Sequence, residues 1–254
     1  QAMELTKEIV KLKPTCVELM DQNLLNLAKE IPMYSEGIKK YIKGNPQAVL
    51  MVEFIDTEQS IYEKKISDLE YLVLNQNRNN KFSYYSNLDE QKEVFEIRKA
   101  GLNILMSMKG DKKPVAFIED CAVSLDHLAD YTARLNEIFK KYNTSGMFYA
   151  HASVGTLHIR PVLNMKSDED IKNMKSISEE TFEMVKDYKG SHSGEHGDGI
   201  VRSEFHEMMF GKKITNVFEE IKDTFDSKNL LNPGKIVRPL KSNDRSLMRY
   251  KSGY

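Results

Sequence analysis

Apolar residues recur along this chain in two rhythms. Pro46 introduces Ala48-Val49-Leu50-Met51-Val52-Glu53-Phe54-Ile55, an apolar run bounded by turn residues, which predicts a buried strand over 48–55. Residues 3–13 carry a helical pattern that stops at Pro14, and Thr15 with Glu18 forms a capping-box signature that predicts a second helix running to about Lys29. Helical spacing returns over 57–74 and again over 89–108, the stretch that carries Arg98. Between them lies a polar loop at 75–80 and a short predicted strand, Lys81-Phe82-Ser83-Tyr84-Tyr85. A strand is expected over 114–120. Ser124 is placed as the cap of a long helix with Leu128, Leu135, Ile138, Phe139 and Tyr142 on one face.

After Gly146, two strands at 147–152 and 156–163 read as a hairpin. A helix over 168–188 buries Ile171, Met174, Ile177, Phe182 and Val185. A short helix ends at Gly211, and a further one places Ile214, Val217, Phe218, Ile221 and Phe225 at helical spacing. Residues 231–237 read as extended, and the polar tail beyond about 240 as loose. Strands alternate with helices, but the hairpin requires antiparallel pairing, so the expected class is α+β, with helices covering an antiparallel sheet.

Composition narrows the partners. With 37 Lys+Arg against 38 Asp+Glu, scattered rather than striped, nothing points to nucleic acid. Cys16 and Cys121 lie far apart in no metal-ligand spacing and read as incidental thiols of a reducing compartment. This predicts a cytoplasmic location, with a peripheral position at the inner membrane face as the alternative. No apolar run reaches membrane-spanning length, and Gln1 opens as if on a piece of a longer protein.

The chemistry gathers at two places. Ser193-Gly194-Glu195-His196-Gly197-Asp198-Gly199 holds three glycines in seven residues, which predicts a loop of unusual backbone freedom. On such a loop Glu195 and His196 would point in different directions, one toward a metal and the other toward a substrate. His151 and His158 are brought onto one face if the chain turns through a two-residue hairpin at Val154-Gly155. That turn pairs them directly across the ladder at about 4.5–5.5 Å between Cβ atoms. Arg160 would share the face and lie beside Tyr149. Two histidines and Glu195 make an N,N,O set with coordination positions left for substrate. His192 and His206 read as surface residues, His127 as an ordinary helix residue, Asp198 as a helix cap and Arg98 as a solvated helix arginine.

In this order, Ser193–Gly199, His151-x6-His158 and Leu231-Asn232-Pro233-Gly234-Lys235 resemble the C-terminal half of the FAD-linked oxidases of the vanillyl-alcohol-oxidase superfamily. That group holds the D-lactate, glycolate and D-2-hydroxyglutarate dehydrogenases. Val17-Glu18-Leu19-Met20-Asp21 and Val52-Glu53-Phe54 extend the resemblance over most of the chain. It implies a ferredoxin-like cap domain over residues 1–240, followed by a polar tail at 241–254, with FAD held mainly by an N-terminal domain. It implies that His151, His158 and Glu195 ligate zinc or manganese, that His196 takes the hydroxyl proton of a D-2-hydroxy acid, and that Arg98 binds its carboxylate. It also places Asn232 near the flavin.

Two departures stand out. Ser153-Val154-Gly155-Thr156 replaces the usual Gly-Asp-Gly-Asn, and Val154 resists positive φ, which favours a type II turn. Arg160-Pro161 resembles a subgroup that has an iron–sulfur domain downstream; the extra charge of Arg160 would favour a substrate with a second carboxylate. Two other classes remain open at this point, a metal-dependent hydrolase and a non-catalytic interaction module.

Overall fold

The computed structural model describes residues 1–77 and 79–253. In chain order the elements are α1 (Ala2–Val10), β1 (Cys16–Asp21), α2 (Gln22–Glu30), α3 (Pro32–Tyr41), β2 (Ala48–Glu53), α4 (Gln59–Gln76), α5 (Leu88–Lys99) and α6 (Gly101–Met106). Then follow β3 (Lys113–Pro114), β4 (Cys121–Ala122), α7 (Leu128–Lys141), β5 (Gly146–His151), β6 (Thr156–Leu163), α8 (Asp168–Asp187), α9 (Gly199–Ser203), α10 (His206–Phe210) and α11 (Lys212–Phe225). The chain divides into two compact units. The first comprises residues 1–108, 124–132 and 147–159; the second comprises 109–123, 133–146 and 160–254. Among the described residues no helix is long and apolar enough to cross a membrane.

In the first unit β1 is the central strand. It pairs antiparallel with β2, from Cys16 opposite Glu53 to Asp21 opposite Ala48, and with β5, where Glu18 lies opposite His151 and Met20 opposite Tyr149. This corrects the helix expected from Thr15: the Thr15 hydroxyl accepts the N–H of Ile55 instead of capping a helix. The local capping signature loses to tertiary pairing. A strand with neighbours on both edges satisfies its backbone groups fully, and the alternation of Cys16-Val17-Glu18-Leu19 sends Val17 and Leu19 into the core. The helix starts six residues later, where Asp21 accepts the N–H of Leu24 at 2.8 Å as the cap of α2.

Three further expectations shift in this unit. Residues 81–85 form no strand; Tyr85 instead packs edge-on against Tyr41, ring centroids 5.1 Å apart. The helical stretch 89–108 is two helices, broken at Ala100, and α3 is a helix the pattern did not predict. The hairpin turn holds four residues rather than two. Ala152–Val154 make a 3-10 turn, Gly155 takes φ 71° and ψ 15°, and its N–H donates to the Ala152 carbonyl at 3.2 Å. The left-handed position falls on glycine, so Val154 is spared it.

In the second unit the strand expected over 114–120 shrinks to β3, which pairs antiparallel with β6 as Lys113 opposite Leu163 and Pro114 opposite Val162. Phe117 and Ile118 are buried without a ladder, and Asp120 stands at φ 61°. The helix α8 is capped by Ser167 and buries the five expected side chains. By contrast α11 buries no residue: Ile214, Val217, Ile221 and Phe225 are all exposed. The ladders described are antiparallel, and the class is α+β.

Candidate functional site

In the first unit the hairpin presents a cluster of rings. Tyr149 stacks on His158, centroids 4.7 Å apart and planes 23° apart, and His151 meets His158 edge-on at 5.0 Å. With four residues in the turn, a regular hairpin would bring His158 two places along, to Tyr149, on which it stacks. That shift is an even number of residues, so His151 and His158 still share a face, as expected.

Behind them stands Glu18, which the sequence reading assigned no role. Its carboxylate lies 2.9 Å from His151 Nδ1 and 2.6 Å from Arg98 Nη2. Arg98 is 7% exposed, not solvated, and its guanidinium covers the Tyr149 ring at 5.0 Å. Glu18 takes the Nδ1 side of His151, so Nε2 is the ring nitrogen that a metal would take. This is how carboxylate partners orient metal-binding imidazoles. The donor chemistry therefore fits a divalent ion.

In the second unit the 193–199 loop is held by its backbone. Buried Asp120 accepts the N–H groups of Glu195 and His196 at 2.8 and 2.6 Å and pairs with Arg202 at 2.8 Å. Arg202 also donates to Ser193 Oγ and to the carbonyls of Gly197 and Glu119. Positive φ at Gly197 and Gly199 lets the loop close around this pair. The side chains of Glu195 and His196 are 42% and 43% exposed, but they do not diverge: His196 Nε2 lies 3.8 Å from Glu195 Oε1. Arg160 pairs with the buried carboxylate of Glu119 at 2.6 Å, so its charge is already matched within the protein. Asn232 is exposed at φ 47°, in a tail whose Leu231, Lys235 and Ile236 line a cavity of about 560 Å³ against Phe218 and Ile221 of α11.

The same unit overturns the reading of His192 and His206 as surface residues. They are 1% and 3% exposed and face opposite oxygens of Asp198, at 3.3 and 3.0 Å from their Nε2 atoms. Asp198 precedes α9 but makes no side-chain cap bond. Burial pushes the His192 ring down to about 4, against the pull of Asp198, so it is neutral at physiological pH. The signal for this burial is the company of aromatics, Phe205 and Phe210 flanking His206 within one helical turn. His127 is exposed and lies in the turn just before α7 rather than in the helix.

The family described as FAD linked oxidases, C-terminal domain, matches residues 1–236. This chain belongs to that family. It is 32% identical over 244 residues to a D-2-hydroxyglutarate dehydrogenase of Haemophilus influenzae, covering 93% of this chain and 24% of that protein. A D-2-hydroxyglutarate dehydrogenase of Escherichia coli is 29% identical, over 91% of this chain and 23% of its own length. A glycolate oxidase subunit of Bacillus subtilis is 26% identical over 89% and 46%. The chain thus spans about a quarter of the length of the dehydrogenases it matches. A 4-ethylphenol oxidase from Gulosibacter chungangensis superposes with a TM-score of 0.63 at 13% identity, over 93% of this chain and 50% of that one, which shows a shared fold.

Proposed function

We propose that this chain is the substrate-binding domain of a flavin-dependent dehydrogenase that oxidises a D-2-hydroxy acid to the 2-oxo acid, with a divalent ion at the site. The observation that carries this reading is the Arg98–Glu18–His151 chain behind His158, on a hairpin of an FAD-linked oxidase domain. His151 and His158 offer two imidazole ligands, and Glu195 is proposed as the third. When bound, zinc or manganese supplies Lewis acidity toward the substrate's oxygens, and FAD supplies the hydride acceptor.

The rest is the work of this chain's residues. His196, adjacent to the ligand Glu195, takes the hydroxyl proton as general base. Arg98 and Arg160 are proposed to hold substrate carboxylates, each sharing its guanidinium with a protein carboxylate. A guanidinium has five N–H donors and can serve two such partners. Two arginines suit a dicarboxylic hydroxy acid, and the relatives named for D-2-hydroxyglutarate support that choice over lactate. Asn232 is proposed to contact the flavin from the C-terminal tail.

The test is made on the full-length protein with its FAD domain. D-2-Hydroxyglutarate should bleach the flavin and be oxidised with a higher kcat/KM than D-lactate or glycolate. Removal of the metal with a chelator should abolish this and zinc or manganese should restore it. A protein that oxidises none of the three, or whose turnover ignores the chelator, refutes the reading.

A further inference from the structure

The His192, Asp198 and His206 cluster lies wholly in the second unit and has no part in the chemistry proposed above. One ring nitrogen from each histidine and one carboxylate oxygen lie within 4.8 Å of one another. Four phenylalanines enclose the rings: Phe182, Phe210 and Phe218 pack against them at centroid distances of 5.4–6.2 Å, and Phe205 lies behind Phe182 at 4.8 Å. The histidines meet each other edge-on at 5.6 Å.

The hydrogen bonds of this cluster leave buried ring nitrogens without partners. His206 Nδ1 lies 3.1 Å from the carbonyl oxygen of Ile236, an atom that only accepts, so Nδ1 carries the proton. Its Nε2 stands 3.0 Å from Asp198 Oδ2. His192 is as deeply buried, and neither of its nitrogens makes a hydrogen bond, although Nε2 stands 3.3 Å from Asp198 Oδ1. Buried polar atoms without partners are expensive, and a cation between the three side chains would satisfy both Nε2 atoms and the Asp198 carboxylate at once.

We propose that His192, Asp198 and His206 form a second divalent-cation site, of zinc type, separate from His151, His158 and Glu195. A tetrahedral zinc ion with ligand bonds of about 2.0–2.1 Å sets its donors about 3.3 Å apart, close to the two separations found here. The second nitrogen of His206 is already held by a backbone carbonyl, the arrangement that orients metal-binding histidines. Asp198 is the one partly exposed member, at 20%, so the ion enters on that side and a water completes the shell there. The role is structural. Ile236 accepts from His206 and donates its own N–H to Ser203 Oγ at 3.0 Å, so the ion would fix the tail that carries Asn232.

The experiment uses full-length protein bearing His151→Ala and His158→Ala, which removes the other candidate ligands. After chelator treatment and dialysis it is titrated with zinc, and bound metal is counted after desalting. One equivalent should be retained, and zinc should raise the thermal midpoint. Cobalt in its place should give the intense visible bands of a tetrahedral site. Adding Asp198→Asn, close to isosteric, should abolish retention and the cobalt bands. The inference is overturned if the double variant retains no zinc, or if retention survives Asp198→Asn. Both outcomes are independent of whether the protein oxidises hydroxy acids, and the first measurement needs no change inside the buried cluster.

Discussion

At the scale of residues, a short set of side chains decides what the site can do, and three of them were invisible in the sequence. Glu18 stands in a capping signature and in the resemblance but with no role attached, and Asp120 and Arg202 carry no motif. Glu18 was hidden because its stretch reads as a helix, and Asp120 and Arg202 because ion pairs between distant positions leave no periodicity. His151, His158, Glu195 and His196 were legible, because histidine spacing on a hairpin and a glycine-rich loop are local signals. In the full-length protein the general-base role proposed for His196 predicts that His196→Ala lowers turnover by roughly 10²–10⁴-fold, with metal content unchanged. Glu195→Ala should strip the metal. Metal analysis alongside turnover checks the pair, and an exchange of the two results would mean that the roles are reversed. Asp120→Asn leaves Arg202 facing no charge in a buried setting, and breaking a buried pair in this way costs about 3–5 kcal/mol. Chemical denaturation should show that loss.

At the scale of elements, the strands that announced themselves were those with long apolar runs, and the hairpin was one of them. The helix expected from Thr15 fails for a definite reason. A strand such as β1 gains its stability from partners far away in sequence, so a capping signature at Thr15 can outweigh its short alternation on paper and lose to it in the fold. The junction of β1 and α2 also gives a dependence on pH. Asp21 is half-buried, and the loss of hydration pushes its carboxyl up to about 6, against the opposing pull of the Leu24 and Phe148 N–H groups that it accepts. A carboxyl raised above its unfolded value of 3.8 binds its proton more tightly when folded. Its contribution to stability is therefore complete below about pH 4 and is lost as pH rises through 6. Asparagine cannot ionise but offers one accepting oxygen where Asp21 uses two, Oδ1 for Leu24 and Oδ2 for Phe148. Asp21→Asn should therefore lower the denaturation midpoint at pH 4 and be less unfavourable relative to the parent at pH 7. Equal shifts at both values would show that burial is not what governs this group.

At the scale of the whole molecule, the apolar spacing of α11 was read correctly, but its destination was not in the pattern. A periodic stripe says that a face wants covering and does not say by what. Here Ile221 and Phe225 stand 52% and 85% exposed, followed by Leu230 and Leu231 at 73% and 67%. Contiguous apolar surface of this kind drives association in water. The glycine-rich loop, for its part, follows the end of α8 and opens the five-residue α9. A dinucleotide loop instead follows a strand and opens a full helix, whose N-terminus receives the pyrophosphate. This loop is therefore no such flavin grip, and Asn232 with its neighbours in the tail is proposed to reach the cofactor. Expressed alone, the chain should purify colourless and show no dehydrogenase activity, and it should self-associate in a concentration-dependent way. Sedimentation of the parent beside Ile221→Ser/Phe225→Ser checks the second point, since the polar pair should shift the equilibrium toward monomer. Stoichiometric flavin absorbance in the isolated chain, or identical sedimentation of the two proteins, would contradict this account of the exposed face and of the loop.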